Sequence, residues 1–166
     1  ATGALELITP ATGEKVSWGA GVFARDGRSL FVTTDKDSEF QRLCRFDLKT
    51  KQLTPLSDAI RGDVEGLDLS DDGKLLAFVS NEAGVSKLHL LDARTGEKLR
   101  TPALPLGVIS GLKWHKNNRD LAFTLSAAKS PNDVYSLDAK TGKIERWTES
   151  ETGGLNPENF VEPELI

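Results

Sequence analysis

The sequence contains no methionine and a single cysteine, Cys44, among its 166 residues. One thiol cannot form an internal disulfide, and it leaves no cysteine-rich metal site. No apolar run approaches the roughly 18 residues that a membrane-spanning helix needs, so no membrane partner is expected. Charges of both signs are mixed along the chain, with a formal net charge of -4 and no basic stripe, which disfavours nucleic acid as a partner.

The motifs of hydrolases and metal centres are also missing. A serine hydrolase places its nucleophile in a G-x-S-x-G elbow, and Ser110 stands in the letters GVISG, at the wrong spacing. His89 and His115 each lack a second ligand at metal-binding spacing. Asp35 begins a stretch similar to a calcium loop, but Phe40 occupies the place where that loop needs glycine. We therefore predict no catalytic residue, no metal site and no cofactor in this chain.

What the sequence does have is a repeat of about 46 residues. Residues 70–78 (SDDGKLLAF) match residues 24–32, and residues 115–123 form a third copy. The turns of these copies align at Asp26, Asp72 and Asn118, at intervals of 46. A second marker recurs at intervals of 45 and 46, at Asp47, Asp92 and Asp138. A period near 45 predicts four-stranded propeller blades.

The period-two alternation within each unit and the absence of helical periodicity predict an all-β chain. The predicted fold is a β-propeller fragment of about three and a half four-stranded blades. Its parts are the back half of a blade at 1–20, with strands at 5–8 and 14–18, blades at 21–60, 61–105 and 106–150, and a connector at 151–166. The recurring aspartates are predicted to stabilise turns, because a catalytic carboxylate would not recur in every blade.

A propeller ring needs roughly 4 to 8 blades, more than these units supply. The chain is therefore expected to be an arc of a longer protein, or half of a ring completed by another copy. An arc exposes the apolar faces of its end blades, which predicts self-association through them, with two copies making a ring of about seven blades.

Four stretches of the sequence resemble the prolyl oligopeptidase family of serine peptidases, especially its bacterial dipeptidyl-aminopeptidase and acylaminoacyl-peptidase-like members. They are residues 70–78, 35–47 (DKDSEFQRLCRFD), 147–155 (WTESETGGL) and 160–165 (FVEPEL). The last looks like the crossing strand that leads into the next domain. The resemblance covers essentially the whole chain, but only the second half of such a propeller. It implies a TolB-like propeller placed before an α/β-hydrolase domain.

The resemblance also implies a division of labour. In the family the catalytic triad lies in the hydrolase domain, so no catalytic residue is carried over to this chain, and the propeller restricts access to short or unfolded peptides. The implied partners are that hydrolase domain and, in the parent protein, a peptide substrate. The turns between second and third strands share a rim, which makes these the candidate substrate-gating residues: Asp35, Asp37, Glu39, Gln41, Asn81 and Glu82.

Two other functions fit the repeat pattern. One is a TolB-like propeller that acts as a protein-binding platform, which would continue into further blades or stop instead of leading into a connector. The other is a propeller enzyme with a central metal, which needs polar side chains at the starts of its inner strands. Residues 64–66 and 108–110 offer little of that kind.

Overall fold

A computed structural model describes residues 3, 5–9, 13 and 15–162, which form three antiparallel sheets of four strands. The first blade contains β1 (Trp18–Phe23), β2 (Ser29–Thr34), β3 (Arg42–Asp47) and β4 (Leu53–Pro55). The second contains β5 (Asp63–Leu69), β6 (Leu75–Glu82), β7 (Val85–Asp92) and β8 (Lys98–Leu99). The third contains β9 (Gly107–Trp114), β10 (Asp120–Ala127), β11 (Ser130–Asp138) and β12 (Ile144–Arg146). The all-β fold and the partial propeller are confirmed.

The turns that close the blades use the recurring aspartates as predicted. The Oδ1 atoms of Asp47, Asp92 and Asp138 each accept hydrogen bonds from the backbone N–H groups two and three residues further along the chain. These bonds hold the pKa of Asp47 and Asp92 below the ordinary range for aspartate. At Asp138 the Arg119 guanidinium contributes most to the lowered pKa, followed by the same turn N–H groups. The carboxylates therefore stabilise turns by capping them.

The third unit is displaced by one residue from its expected alignment. Asp26 and Asp72 each accept a hydrogen bond from the N–H two residues further on, and in the third blade Asn117 does so. Asn118, which the sequence alignment paired with Asp72, has a φ of 57° and takes the place of Gly73, whose φ is 72°. The predicted second interval of 46 residues is wrong; it is 45, because two adjacent asparagines serve as cap and as left-handed turn residue.

The hydrophobic core lies in the seams between blades. One cluster spans the first seam and contains Phe31, Leu43, Val64, Leu76, Phe78 and Leu91. A second spans the next seam and contains Val79, Leu88, Leu90, Leu121, Phe123 and Leu125. The middle strands of the second blade, β6 and β7, alternate their side chains between these two seams, so this blade is held by both neighbours rather than by a core of its own.

The antiparallel order gives the arc two rims. The turns between β2 and β3, β6 and β7, and β10 and β11 lie at one rim, together with the chain that crosses from one blade to the next. We call this the exit rim, and the opposite one the far rim. At the exit rim a Cβ added to Gly62 would lie 2.0 Å from the Asn81 carbonyl oxygen, and one added to Gly107 would lie 2.3 Å from that of Ser126. Glycine is therefore needed where the chain crosses from the first blade to the second and from the second to the third.

The segment before β1 differs from the predicted half-blade. No strand is present among its described residues, and Trp18, expected in an outer strand, belongs to inner strand β1 and pairs with Thr34. A strand requires a hydrogen-bonding neighbour, and the described part of this segment has none. Ile8 nevertheless packs on the first blade near Cys44, which is fully buried. Several residues of this segment lie outside the described ones, so the half-blade at 1–20 stays a prediction.

Candidate functional site

The six candidate gating residues lie in two places on the exit rim. Asp35, Asp37, Glu39 and Gln41 belong to the loop between β2 and β3, while Asn81 and Glu82 end β6 beside its tight turn. The side chains of Asp37 and Glu39 are exposed, and the other four residues are partly buried. The two groups thus belong to neighbouring blades and lie on the same rim.

The loop of the first blade is anchored at both ends. The Oδ1 atom of Asp35 accepts the backbone N–H of Ser17 at 2.7 Å. The guanidinium of Arg42 donates to the backbone carbonyl of Lys36 at 2.6 Å and forms an ion pair with Asp58. These contacts make the loop a fixed feature of the rim.

Gln41 joins the first blade to the second through its backbone. Its N–H donates to Asp63 Oδ1 at 2.8 Å, and its carbonyl accepts the N–H of Val64 at 2.8 Å. Its side-chain Oε1 is buried and has no hydrogen-bond partner among the described residues. The residue therefore fixes the two blades relative to each other at the exit rim.

A compact polar cluster lies beside Glu82. The hydroxyl of Ser80 lies 2.9 Å from Glu82 Oε1 and 2.8 Å from His89 Nε2, and Lys87 forms an ion pair with Glu82 at 2.7 Å. The His89 ring stacks on Phe78 with 4.6 Å between centroids. Burial lowers the pKa of His89, an effect that Glu82 partly opposes. The imidazole is thus favoured in its neutral form.

This cluster has the composition of a catalytic triad but not its geometry. In a triad the carboxylate binds the imidazole nitrogen opposite the serine. Here Glu82 Oε1 bonds to the hydroxyl of Ser80 and lies 3.7 Å from the same Nε2 of His89. Ser80 is also fully buried. The cluster therefore stabilises the end of β6 and cannot present a nucleophile to a peptide.

The segment that leaves the third blade, residues 147–162, is held at the exit rim by a buried carboxylate. Asp133 is 0% exposed. Its Oδ1 accepts from the Thr148 hydroxyl at 3.0 Å and the Ser150 N–H at 2.8 Å. Its Oδ2 accepts from the Ser130 hydroxyl and from Arg146 Nη2, the latter at 2.6 Å.

These bonds keep Asp133 charged. Burial alone would raise its pKa, but the hydrogen bonds from its four partners outweigh that effect and hold the pKa far below the ordinary range. Asp133 was not predicted from the sequence, because three of its four partners come near it only when β12 pairs with β11. The one indication of Asp133 in the sequence is that a charged residue stands at a position of β11 that the period-two alternation assigns to the core.

The exit segment (residues 147–162) continues along the same rim. It contains a short 3-10 helix, Pro157–Asn159, capped by the side chain of Asn156. Glu158 in this helix forms an ion pair of 3.7 Å with Lys129, which belongs to the turn between β10 and β11. The crossing strand expected at 160–165 is not formed at residues 160–162, and its remaining residues lie outside the described ones.

Across the described residues, His, Cys, Asp and Glu form no group of three or more that could hold a metal ion. None of their helices has the length and apolar character to cross a membrane.

The chain matches the model of a known family. Residues 6–150 match the model of the prolyl oligopeptidase N-terminal β-propeller domain. The chain belongs to this family. It is 24% identical over 142 residues to a prolyl endopeptidase of Elizabethkingia meningoseptica, covering 85% of this chain and 20% of that one. It is 23% identical over 147 residues to the prolyl endopeptidase of Elizabethkingia miricola, covering 88% and 21%.

Solved structures show the same fold. A prolyl endopeptidase superposes with a TM-score of 0.75 at 19% identity, over 95% of this chain and 23% of that chain. TolB from Acinetobacter baumannii superposes with a TM-score of 0.68 at 23% identity, over 90% and 36%. The chain thus spans about a fifth of the length of the curated prolyl endopeptidases it matches. The prolyl-oligopeptidase propeller expected from the sequence is confirmed.

Proposed function

We propose that this chain is the non-catalytic propeller part of a prolyl-oligopeptidase-family serine peptidase, and that its exit rim faces the hydrolase domain and gates peptide access. The observation that carries the proposal is the position of the exit segment. Asp133 and Lys129 hold it on the rim that also bears both candidate gating loops. A domain reached through this segment would lie against those loops.

The chemistry of the rim supports gating rather than catalysis. Ser80 is buried beneath Glu82, so its hydroxyl is unavailable as a nucleophile. Asp37 and Glu39 instead place exposed carboxylates on an anchored loop. Fixed charges at a narrow opening discriminate among peptides by charge and bulk, with no covalent step.

The test uses the parent protein that contains the hydrolase domain. Glu39→Lys should change kcat/KM for long peptides by about tenfold, while a short substrate that passes freely is unaffected, because the charge acts on access. The control is Glu97→Lys, which makes the same charge change at an exposed position of the far rim. Equal effects of the two variants, or an equal effect on short and long substrates, would refute gating by this rim.

The alternative is a protein-binding platform, and the likeness to TolB is the observation that favours it. The reading frame beyond residue 166 separates the two functions. A following domain with G-x-S-x-G, then Asp, then His supports the peptidase, whereas further 46-residue units support the binding propeller.

Self-association through open blade faces stays a prediction, and the structure changes where it would act. The face of the first blade that carries Cys44 is covered, so the expected apolar face is not open there. The outward face of the third blade carries Ala122, Thr124, Val134 and Ser136, two apolar and two polar side chains, and Ser136 accepts a hydrogen bond from the exposed indole of Trp147. Light scattering of the 166-residue chain tests this, and a monomer at high concentration would refute it.

A further inference from the structure

A cavity lies away from the exit rim, in the far-rim half of the seam between the first and second blades. Its volume is about 540 Å³. This lies within the range of about 300–1,000 Å³ that is usual for small-molecule sites. Its apolar lining comes from Ala24, Phe31 and Ala93.

Arg45 is the unusual residue of this cavity. Its guanidinium donates to the backbone carbonyls of Ala93 and Arg94 and lies 5.2 Å from the centroid of the Phe31 ring. Among the described residues, no carboxylate forms an ion pair with it. A guanidinium that is partly buried against an aromatic ring without a counter-ion is an unusual feature of a blade seam.

The repeat shows that the fold itself does not require this charge. Arg45 pairs with Phe31 across β2 and β3, and the matching pairs in the other blades are Leu90 with Ala77 and Ser136 with Ala122. Leu90 fills the next seam at 2% exposure. An apolar side chain therefore serves at this position where blades only have to pack.

The other cations at the cavity divide into paired and unpaired ones. Arg25 binds Asp71 at 3.2 Å, and Lys74 binds Asp72 at 3.0 Å. The side chain of Arg94 is exposed and forms no ion pair within the described part of the chain. Two guanidinium groups of the lining, those of Arg94 and Arg45, thus form no ion pair with a described carboxylate.

The carboxylates of the lining are committed to the turns. Asp26 Oδ1 accepts the N–H of Arg28, and Asp92 Oδ1 accepts those of Arg94 and Thr95. Asp72 Oδ1 accepts the N–H of Lys74, and its Oδ2 forms the ion pair with Lys74 Nζ. These bonds fix the carboxylates at the cavity edge, where they stay charged. The four cations of the lining, Arg25, Arg45, Lys74 and Arg94, still exceed its three carboxylates by one.

We propose that this cavity binds a carboxylate carried on an apolar body, such as the C-terminus of a short peptide. The carboxylate would lie between Arg45 and Arg94, since guanidinium donors suit its two oxygens. The apolar body would lie against Ala24, the partly exposed apolar residue of the lining, because Phe31 is buried under Arg45. This site is independent of gating at the exit rim.

The experiment is a titration of the 166-residue chain followed by amide NMR. N-acetylphenylalanine should shift the amide resonances of Ala24, Ala93 and Arg94, and its neutral amide derivative should not. Arg94→Gln should weaken binding by about tenfold through loss of one charge-assisted contact. The matched control Arg100→Gln removes the same charge from another exposed position and should leave binding unchanged.

Arg45→Leu introduces the side chain found at the equivalent position of the second blade, Leu90. It should abolish binding, while amide resonances outside the cavity stay in place. The proposal is overturned if N-acetylphenylalanine shifts none of these resonances, if the neutral derivative shifts them equally, or if Arg94→Gln has no effect. Inorganic phosphate serves as the anion without an apolar body. Binding of phosphate as tightly as the carboxylate would overturn the role given to the apolar lining.

Discussion

Replacing Asp133 by alanine is expected to release the exit segment from the third blade. The carboxylate accepts hydrogen bonds from Ser130, Arg146, Thr148 and Ser150, and three of these residues lie in or beside β12 and the segment that follows it. Without the carboxylate these donors lose their common acceptor, and water cannot fully replace it at a 0% exposed position.

The magnitude follows from the burial of the two charges. Breaking a fully buried ion pair by removing one partner costs about 3–5 kcal/mol. The side chain of Arg146 is 38% exposed and can regain water, which lowers the expected cost to about 2–3 kcal/mol of unfolding free energy. Asp133→Asn should lower the unfolding free energy less, because its amide oxygen can still accept from Thr148 and Ser150. Its NH2 group is a donor and cannot replace the carboxylate oxygen that accepts from Arg146.

Acid should weaken the same contact. The folded pKa of Asp133 is depressed, so its contribution is complete above the unfolded pKa of about 3.9 and is lost as the pH falls towards the folded value. The stability of the wild type should therefore fall below about pH 4 more steeply than that of Asp133→Asn.

The assay combines urea unfolding with hydrogen exchange. Asp133→Ala should lower the unfolding free energy and remove protection from the Ser150 amide, while strands of the first blade stay protected. The matched control is Glu149→Gln, which removes a charge from an exposed side chain of the same segment. Retained protection at Ser150 in the alanine variant, or an equal loss in the control, would show that Asp133 does not anchor the segment.

Three further outcomes are expected. Gly62→Ala should destabilise the protein by about 2 kcal/mol or more in urea unfolding, because the added Cβ would meet the Asn81 carbonyl. Gly66→Ala, whose added Cβ would have no atom within 4 Å, should be nearly neutral. Similar losses of stability in the two variants would contradict this. The thiol of Cys44 should react with a disulfide reagent only on unfolding, since burial raises its pKa to about 11; rapid labelling of the folded chain would disprove it. His89 has a lowered pKa, so an NMR titration should show a neutral imidazole down to below pH 6.5. Stability should be lost as the pH falls through the folded pKa of His89. A titration midpoint of His89 above pH 6.5 would refute the reasoning.

The blades could be predicted because their signals are local. The turn residues Asp47 and Asp92 cap backbone groups only two and three positions away, so each copy carries its complete signal. The alternation of residues 64–69 likewise requires only a period of two and a neighbouring strand, and β5 lies where it was expected.

The errors arose where one residue type can play two structural roles. Asn117 caps like an aspartate, and Asn118 adopts the positive φ that Gly73 uses in the preceding blade. From the letters alone either asparagine could match Asp72, and only the hydrogen bonds decide between them. Trp18 was misplaced for a related reason, since its alternation fits an outer or an inner strand and only the pairing with Thr34 decides.

The candidate site was predictable in position but not in structure. Topology placed the loops of Glu39 and Glu82 on one rim, because every second-to-third-strand turn lies there. The buried Asp133 and the bonding of Gln41 to Asp63 join residues from different strands or blades, and no short window of sequence contains both partners.

The two ends of the arc are not equivalent, and this limits how copies can assemble. The chain before β1 covers the first blade around Cys44, whereas the corresponding side of the third blade at Val134 is exposed. A body with one protected side and one available side cannot join head to tail, because each junction would need both. Two copies could still meet face to face about a twofold axis, which buries the available side of each. We expect growth to end at such a closed pair instead of continuing into fibres.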